Sequence, residues 1–383
     1  VSSLDEFASQ KIAALEDRHL FRRPIESERS AGIRVTRGGV PLLSFSCNDY
    51  LNLSQHPALK AAAAAAAERY GVGAGASRLI TGNHPLYARL ESRLARLKGT
   101  EAACVFGSGY LANIGIIPTL IGPGDVILVD ELAHSCIYAG AALSKAETLV
   151  FRHNDAAHAA SLLAERRARR QNAMIATDGV FSMDGDLAPV GLLGEIAERY
   201  DAWLLTDDAH GIGVVGGGRG SSFADPGAPK PVLQMGTLSK AVGGYGGYLC
   251  ASAPVIALIK SRARSLVYST GLPPAMLAAA IAALDIIESQ PDYAALPLAK
   301  ARRFTRSMGL ADAVSPIVPI VIGGAAEAVA AARLLEEEGF LVVPIRPPTV
   351  PEGTARLRLA FTALHPDHEI DRLAATIRAR LQR

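Results

Sequence analysis

From about residue 57 to residue 240 the chain alternates short apolar runs with helical patterns, and few architectures accept that rhythm. The runs AACVF, DVILVD, TLVF, AMIATD, AWLLTD and VLQMG are bounded by turn residues or charges, and helical periodicity lies between several of them. A strand that is apolar along its whole length offers no face to water, so both its sides must be covered. Helices that cross between parallel strands supply that cover. The pattern therefore predicts an α/β protein built on a mostly parallel sheet.

The flanking segments read differently. Leu4, Phe7, Ile12, Leu15 and Leu20 recur at helical spacing from Leu4 to Arg22, and IRVTRGGVPLLSFS places two β-rich runs around Gly38-Gly39, a hairpin signal. PALKAAAAAAAERY opens with proline and continues with strong helix formers. After Pro274 two long helical stretches, Pro274 to Ser289 and Tyr293 to Met308, lead into SPIVPIVIG, a helix over AAEAVAAARLLEEEG, the runs FLVVPI and ARLRLAF, and a last helix. The expected organisation is an N-terminal arm over 1–46, a large ligand-binding domain over 47–285 and a small α+β domain over 286–383.

Composition narrows the partners. The 39 basic and 37 acidic side chains nearly cancel, which gives no reason to expect nucleic acid or an anionic membrane. No apolar stretch reaches the roughly 20 residues of a membrane span. The segment VSSLDEFASQ has no basic region followed by an apolar core, so a cytoplasmic location is expected. Cys47, Cys104, Cys136 and Cys250 are far apart, form no C-x-x-C pair, and read as reduced thiols with no metal role.

Ligands of a parallel sheet bind beyond the carboxyl ends of its strands, and polar residues collect there. AACVF is followed by Gly107-Ser108-Gly109-Tyr110 and a helical pattern, which leaves backbone N–H groups exposed as an anion site. It is not the G-x-G-x-x-G of a dinucleotide site. DVILVD leads to His134, AMIATD to Ser182, AWLLTD to Asp207, Asp208 and His210, and VLQMG to Thr237, Ser239 and Lys240. Taken singly these are weak signals. His134 fits a structural histidine, Ser182 a cap, and Asp207 either a structural ion pair or the partner of a cationic ligand atom. Lys240, in MGTLSKAVGGYGGYLC, fits a surface loop or a partly desolvated pocket. Its small, apolar neighbours favour the pocket, and the glycines after it would let backbone approach a ligand. A desolvated lysine has a lowered pKa and forms a Schiff base with a carbonyl. Pyridoxal phosphate requires that lysine, an acid for its pyridinium nitrogen and donors for its phosphate, all of which are present.

These residues carry a resemblance. TDDAHG followed by GTLSKAVGGYGG resembles the fold-type I pyridoxal-phosphate enzymes, and within them the α-oxoamine synthases; so do SFSCNDYLNLSQHP, GAGASRLITGNHPLYARLE, FGSGYLANIGII, DGVFSMDGDLAPV and RPPTVPEGTARLRLAFTALH. The likeness runs nearly end to end. It implies a large domain with a seven-stranded type of sheet and pyridoxal 5'-phosphate as cofactor. Lys240 would hold the cofactor aldehyde and shuttle protons, Asp207 would face the ring nitrogen, His210 the phenolic oxygen, and His134 the ring face. Ser108, Gly109, Tyr110, Ser182 and Thr237 would help to hold the cofactor. Ser269 and Thr270 would reach the phosphate of the other subunit of a homodimer.

Arg22, Asn48, His134, Arg346, Thr349 and Arg358 would contact substrate. Arg346 and Arg358 both suit the amino-acid carboxylate, since the planar guanidinium fork matches that group, and both also fit surface or interdomain ion pairs. Arg23 competes with Arg22 for the N-terminal contact. Relatives often carry glutamate where this chain has Asp178. The expected reaction is a decarboxylating condensation of L-alanine with a pimeloyl thioester, on coenzyme A or on a carrier protein. Another synthase of the family, using glycine or serine, is the alternative, as are an aminotransferase or lyase on the same scaffold and a cofactor-binding protein without activity.

Overall fold

The computed structural model describes residues 2–18 and 20–381. Its central sheet has seven strands: β1 (Ala102–Phe106), β2 (Val126–Asp130), β3 (Glu147–Phe151), β4 (Ala173–Asp178), β5 (Trp203–Asp207), β6 (Leu233–Thr237) and β7 (Gly247–Ala251). The spatial order is β1-β7-β6-β5-β4-β2-β3, with β7 antiparallel to both neighbours and every other pairing parallel. The sheet is mostly parallel, as the apolar runs predict.

Each face of this sheet carries its own core. Along β2, Ile127 and Val129 join Ile116 and Ile137, from helices Gly109–Leu120 and Ser135–Ser144. Val126 and Leu128 point the other way, to Leu163 and Leu193 of helices Ala156–Arg166 and Val190–Arg199. Side chains alternate across a strand, so an all-apolar run feeds both cores. That is why β2 is legible as an unbroken apolar run. β7 was hidden among the glycines of GGYGGYLC, yet every one of its residues is buried.

A three-stranded antiparallel sheet, ordered Ile317–Gly323, Ala355–Ala360, Pro344–Ile345, packs with helices Pro291–Met308, Ala325–Glu337 and Asp367–Leu381. The expected hairpin is present, as strands Arg34–Arg37 and Val40–Ser44. It is tied to the C-terminal layer, because Phe340–Leu341 pairs in parallel with Val40–Ser44 and Phe45 packs on Phe340 and Phe361. The N-terminal helix spans Ser3–Asp17 and stops short of the expected Arg22. None of its residues is buried, and Leu4 and Phe7 are 72% and 58% exposed. Helical spacing of apolar residues therefore marks the element here, but not a buried face.

One buried ion pair braces the sheet beside the site. Lys98 Nζ donates to Asp208 Oδ2 at 2.9 Å and to the Arg219 carbonyl at 2.7 Å, and both charged side chains are wholly buried. Removing one partner strands the other charge. Lys98→Met is expected to lower the unfolding free energy by about 3–5 kcal/mol, measured by urea denaturation.

Candidate active site

The carboxyl ends of β1, β2, β4, β5 and β6 share one edge, and the polar residues gather there. Asp207 ends β5 and its register partner Asp178 ends β4. Asp207 Oδ2 accepts from Asn113 Nδ2 at 2.7 Å, and Oδ1 from the Ala209 N–H at 3.0 Å. Both donors are neutral, and Asp207 is only 4% exposed. A buried carboxylate with neutral donors calls for a cation, which a protonated pyridine nitrogen would supply. Asp178 Oδ2 accepts the His134 N–H at 2.8 Å. Burial first, then the nearby Asp207 charge, push its pKa well above the usual carboxylate value.

Lys240 follows β6, and its Nζ lies 2.6 Å from His210 Nε2. Burial draws the amine pKa down to about 8, against the opposing pull of Asp207 and Asp178. The pocket alternative for this lysine therefore holds over the surface loop. The close approach permitted by its glycines is to the chain itself. Gly243 has φ +72°, its N–H donates to the Lys240 carbonyl at 2.8 Å, and a Cβ there would lie 2.5 Å from the Ser54 nitrogen.

His210 Nδ1 lies 2.7 Å from the Tyr50 hydroxyl. Burial, then the Lys240 and Arg358 charges, hold His210 well below the usual histidine value, so its ring is neutral. His134 caps helix Ser135–Ser144 and presents part of its ring to solvent. The protein packed against it still disfavours its charge and lowers its pKa. Its Nδ1 receives the Cys136 N–H at 3.3 Å and lies 2.8 Å from Cys136 Sγ, whose thiol burial keeps protonated. An acceptor at Nδ1 leaves the proton on Nε2.

Arg358 lies on the buried strand Ala355–Ala360 and reaches across to this edge. Its Nε donates to the Ser182 carbonyl, its Nη1 to Asn48 Oδ1 at 3.0 Å, and its Nη2 to the Tyr50 hydroxyl at 3.3 Å. On the opposite flank, Ser108 Oγ caps helix Gly109–Leu120 by accepting from the Leu111 N–H at 3.1 Å. A Cβ on Gly109 would lie 3.2 Å from Met235 Cε and 3.6 Å from Thr237 Cβ. Thr237 Oγ1 donates to the Gly246 carbonyl at 2.7 Å and meets Ser239 Oγ at 2.7 Å. Tyr110 is 49% exposed at the rim.

Two groups of expected site residues lie apart from Lys240. Arg22 Nη2 donates to Thr349 Oγ1 at 3.0 Å and to the Arg346 carbonyl at 3.4 Å, and all three line a cavity of about 670 Å³ beside the N-terminal segment. Arg23 pairs instead with Glu16 at 3.0 Å. Ser269 and exposed Thr270 sit at the surface, where Thr270 bridges to Ser77. Sequence reasoning missed Tyr50, Asn113 and Cys136 as site neighbours. Asn113 had a signal, an amide within the apolar helix GYLANIGIIPTL; Tyr50 and Cys136 had none.

The family model for aminotransferase class I and II matches residues 40–377. The 8-amino-7-oxononanoate synthase of Beijerinckia indica is 62% identical over 377 residues, which is 98% of each chain. Serine palmitoyltransferase of Sphingomonas wittichii superposes with a TM-score of 0.91 at 29% identity, covering 99% of this chain and 97% of that one. A serine palmitoyltransferase of S. paucimobilis with bound PLP–myriocin aldimine has a TM-score of 0.92 at 27% identity, covering 99% of this chain and 98% of the other. The fold and the site thus define a fold-type I, pyridoxal-phosphate-dependent transferase. Within that class the chain belongs to the 8-amino-7-oxononanoate synthase family of acyltransferases, enzymes of biotin biosynthesis. Among the described residues, no helix is long and apolar enough to cross a membrane.

Proposed function

We propose that the protein condenses L-alanine with a pimeloyl thioester, carried on coenzyme A or on a carrier protein, releasing 8-amino-7-oxononanoate, carbon dioxide and free thiol. The observation that carries this is Lys240 Nζ, with its pKa drawn down to about 8, facing neutral His210 beside buried Asp207. The 62% identity to synthases of that name supports this substrate pair over glycine or serine.

Pyridoxal 5'-phosphate, when bound, supplies an aldehyde and an electron-withdrawing ring that acidifies the amino-acid Cα–H. Lys240, Asp207, His210 and His134 would hold it, with Ser108, Gly109, Tyr110, Ser182 and Thr237 around them. Lys240 Nζ would hold the cofactor through its aldehyde and would serve as the base for the Cα proton. Asp207 would offer its negative charge to the ring nitrogen. Arg358 orients the amino-acid carboxylate. Three of its five N–H groups are engaged by Ser182, Asn48 and Tyr50, which leaves two for that carboxylate. His134 donates from Nε2 to the thioester oxygen as negative charge develops there. Arg22, Arg346 and Thr349 bind the acyl donor in their cavity.

The same reading takes the enzyme as a homodimer, with Ser269 and Thr270 of one protomer completing the phosphate site of the other. The surface beside them supports an interface: Leu79, Ile80 and Tyr268 are 58%, 75% and 75% exposed, on segments joined by the Ser77–Thr270 bridge.

Purified protein incubated with pimeloyl-CoA and L-alanine is expected to release coenzyme A and a product with the mass of 8-amino-7-oxononanoate. Parallel assays replace L-alanine with glycine or L-serine. A higher kcat/KM with either would overturn the substrate assignment.

A further inference from the structure

We propose that Tyr50 is a positioning residue for this reaction: its phenol fixes His210 in the tautomer that turns Nε2–H toward Lys240, which favours the neutral form of the lysine amine. The inference deepens the function proposed above and rests on Lys240 being the reactive amine.

The direction of each hydrogen bond follows from one group that can only donate. The Arg358 guanidinium has no acceptor, so the Tyr50 hydroxyl, 3.3 Å from Nη2, accepts from it. The phenol proton must then point elsewhere. Asn48 Oδ1 is 3.4 Å from the hydroxyl and already takes Arg358 Nη1 at 3.0 Å. His210 Nδ1 is 2.7 Å away, so the short bond goes to the imidazole. A neutral imidazole that accepts at Nδ1 carries its proton on Nε2. Nε2 lies 2.6 Å from Lys240 Nζ, and only the neutral amine has a lone pair to receive that proton. Arg358, Tyr50, His210 and Lys240 thus form one oriented chain, running from the cation that orients the substrate to the amine that reacts.

The surroundings agree. Tyr50 is wholly buried, and burial raises its phenol pKa, so the proton stays on oxygen. Burial keeps His210 neutral. Of the other groups facing Lys240, Asp207 and Asp178 favour its charged form and Arg358 disfavours it. The Cys136 thiol stays protonated, and His134 is held below its usual value. These groups remain in place when the Tyr50 hydroxyl alone is removed, so Tyr50→Phe isolates its effect.

Trace acetylation of Lys240 across a pH series, followed by peptide mass spectrometry on the full chain freed of cofactor, reads the amine pKa. Tyr50→Phe is expected to raise it by about one unit, because His210 can then turn its acceptor to an ammonium. An unchanged pKa in a variant that melts like the parent would overturn the proposal. Should the variant not fold, the imidazole nitrogen chemical shifts of His210 in the unsubstituted protein decide. A protonated Nε2 with an accepting Nδ1 supports the proposal, and the reverse tautomer overturns it. Neither readout requires turnover, so failure to form product from L-alanine and pimeloyl-CoA would count against the proposed function alone.

Discussion

Lys240→Ala is expected to lower kcat by on the order of 10⁴-fold or more, while the protein still folds and still binds pyridoxal 5'-phosphate without a covalent bond. On the proposed function the lysine would combine two duties, nucleophile and base, and neighbouring groups could not replace it. His210 and His134 are neutral rings, and Asp207 and Asp178 lie at strand ends with neutral donors on their oxygens. Folding survives because the bond lost is the one to His210, and removing Nζ relieves a buried amine. The linkage has a definite sign. The folded pKa of about 8 lies below the ordinary 10.5, so the unfolded chain binds more protons between those values. This lysine therefore makes the cofactor-free protein more stable as pH rises from about 8 to 10.5. Lys240→Ala should lack that rise, which thermal melts across the interval would reveal. Full steady-state turnover by the variant would sink the catalytic assignment.

How much of this was legible depends on whether a residue's partners are near in sequence. The strands were legible because an apolar run buried on both faces leaves an unbroken mark, as Val126–Asp130 does. β7 was not, because its antiparallel place between β1 and β6 is decided by pairing that no local pattern records. The glycines after Lys240 were correctly read as permissive, but the backbone they admit belongs to Leu53 and Ser54, far away in sequence. Lys240, Asp207, His210 and His134 could be collected because each follows a strand at one edge of a parallel sheet. Tyr50 could not. It enters the site from the N-terminal side, and its importance lies in two bonds, to His210 and to Arg358, that span 160 and 308 residues. The choice between Arg346 and Arg358 was open for the same reason. The guanidinium suits a carboxylate at either position, and only the fold puts Arg358 beside Tyr50 and Asn48 while Arg346 joins Arg22 and Thr349.

Asp207→Asn is expected to cost on the order of 10²–10³-fold in kcat, with the fold preserved. The substitution keeps the side chain's shape and removes its charge. The amide oxygen that it introduces can still accept the Ala209 N–H that Asp207 takes at 3.0 Å. The difficulty is Asn113 Nδ2, which donates at 2.7 Å and would face a second donor. Asn113 Oδ1 is buried without a partner, so turning the Asn113 amide over offers the new N–H an acceptor. What is lost is the fixed negative charge that, on the proposed function, would hold a proton on the cofactor ring and so help to acidify the substrate Cα–H. The neighbouring titrations should move in step. Asp178 is raised partly by the Asp207 charge, so its pKa should fall. Lys240 and His134 are held up by the same charge, so theirs should fall further below their ordinary values. A carboxyl whose folded pKa is raised contributes stability at low pH that is lost as pH climbs through that pKa. That contribution in the cofactor-free parent should therefore fall as pH rises above about 4, and in Asp207→Asn it should fall less. Thermal melts of both proteins from about pH 5 to 8, together with kcat at a pH where both are folded, separate the outcomes. Retained kcat with the predicted change in melting would mean that Asp207 shapes the strand-end electrostatics without serving the reaction.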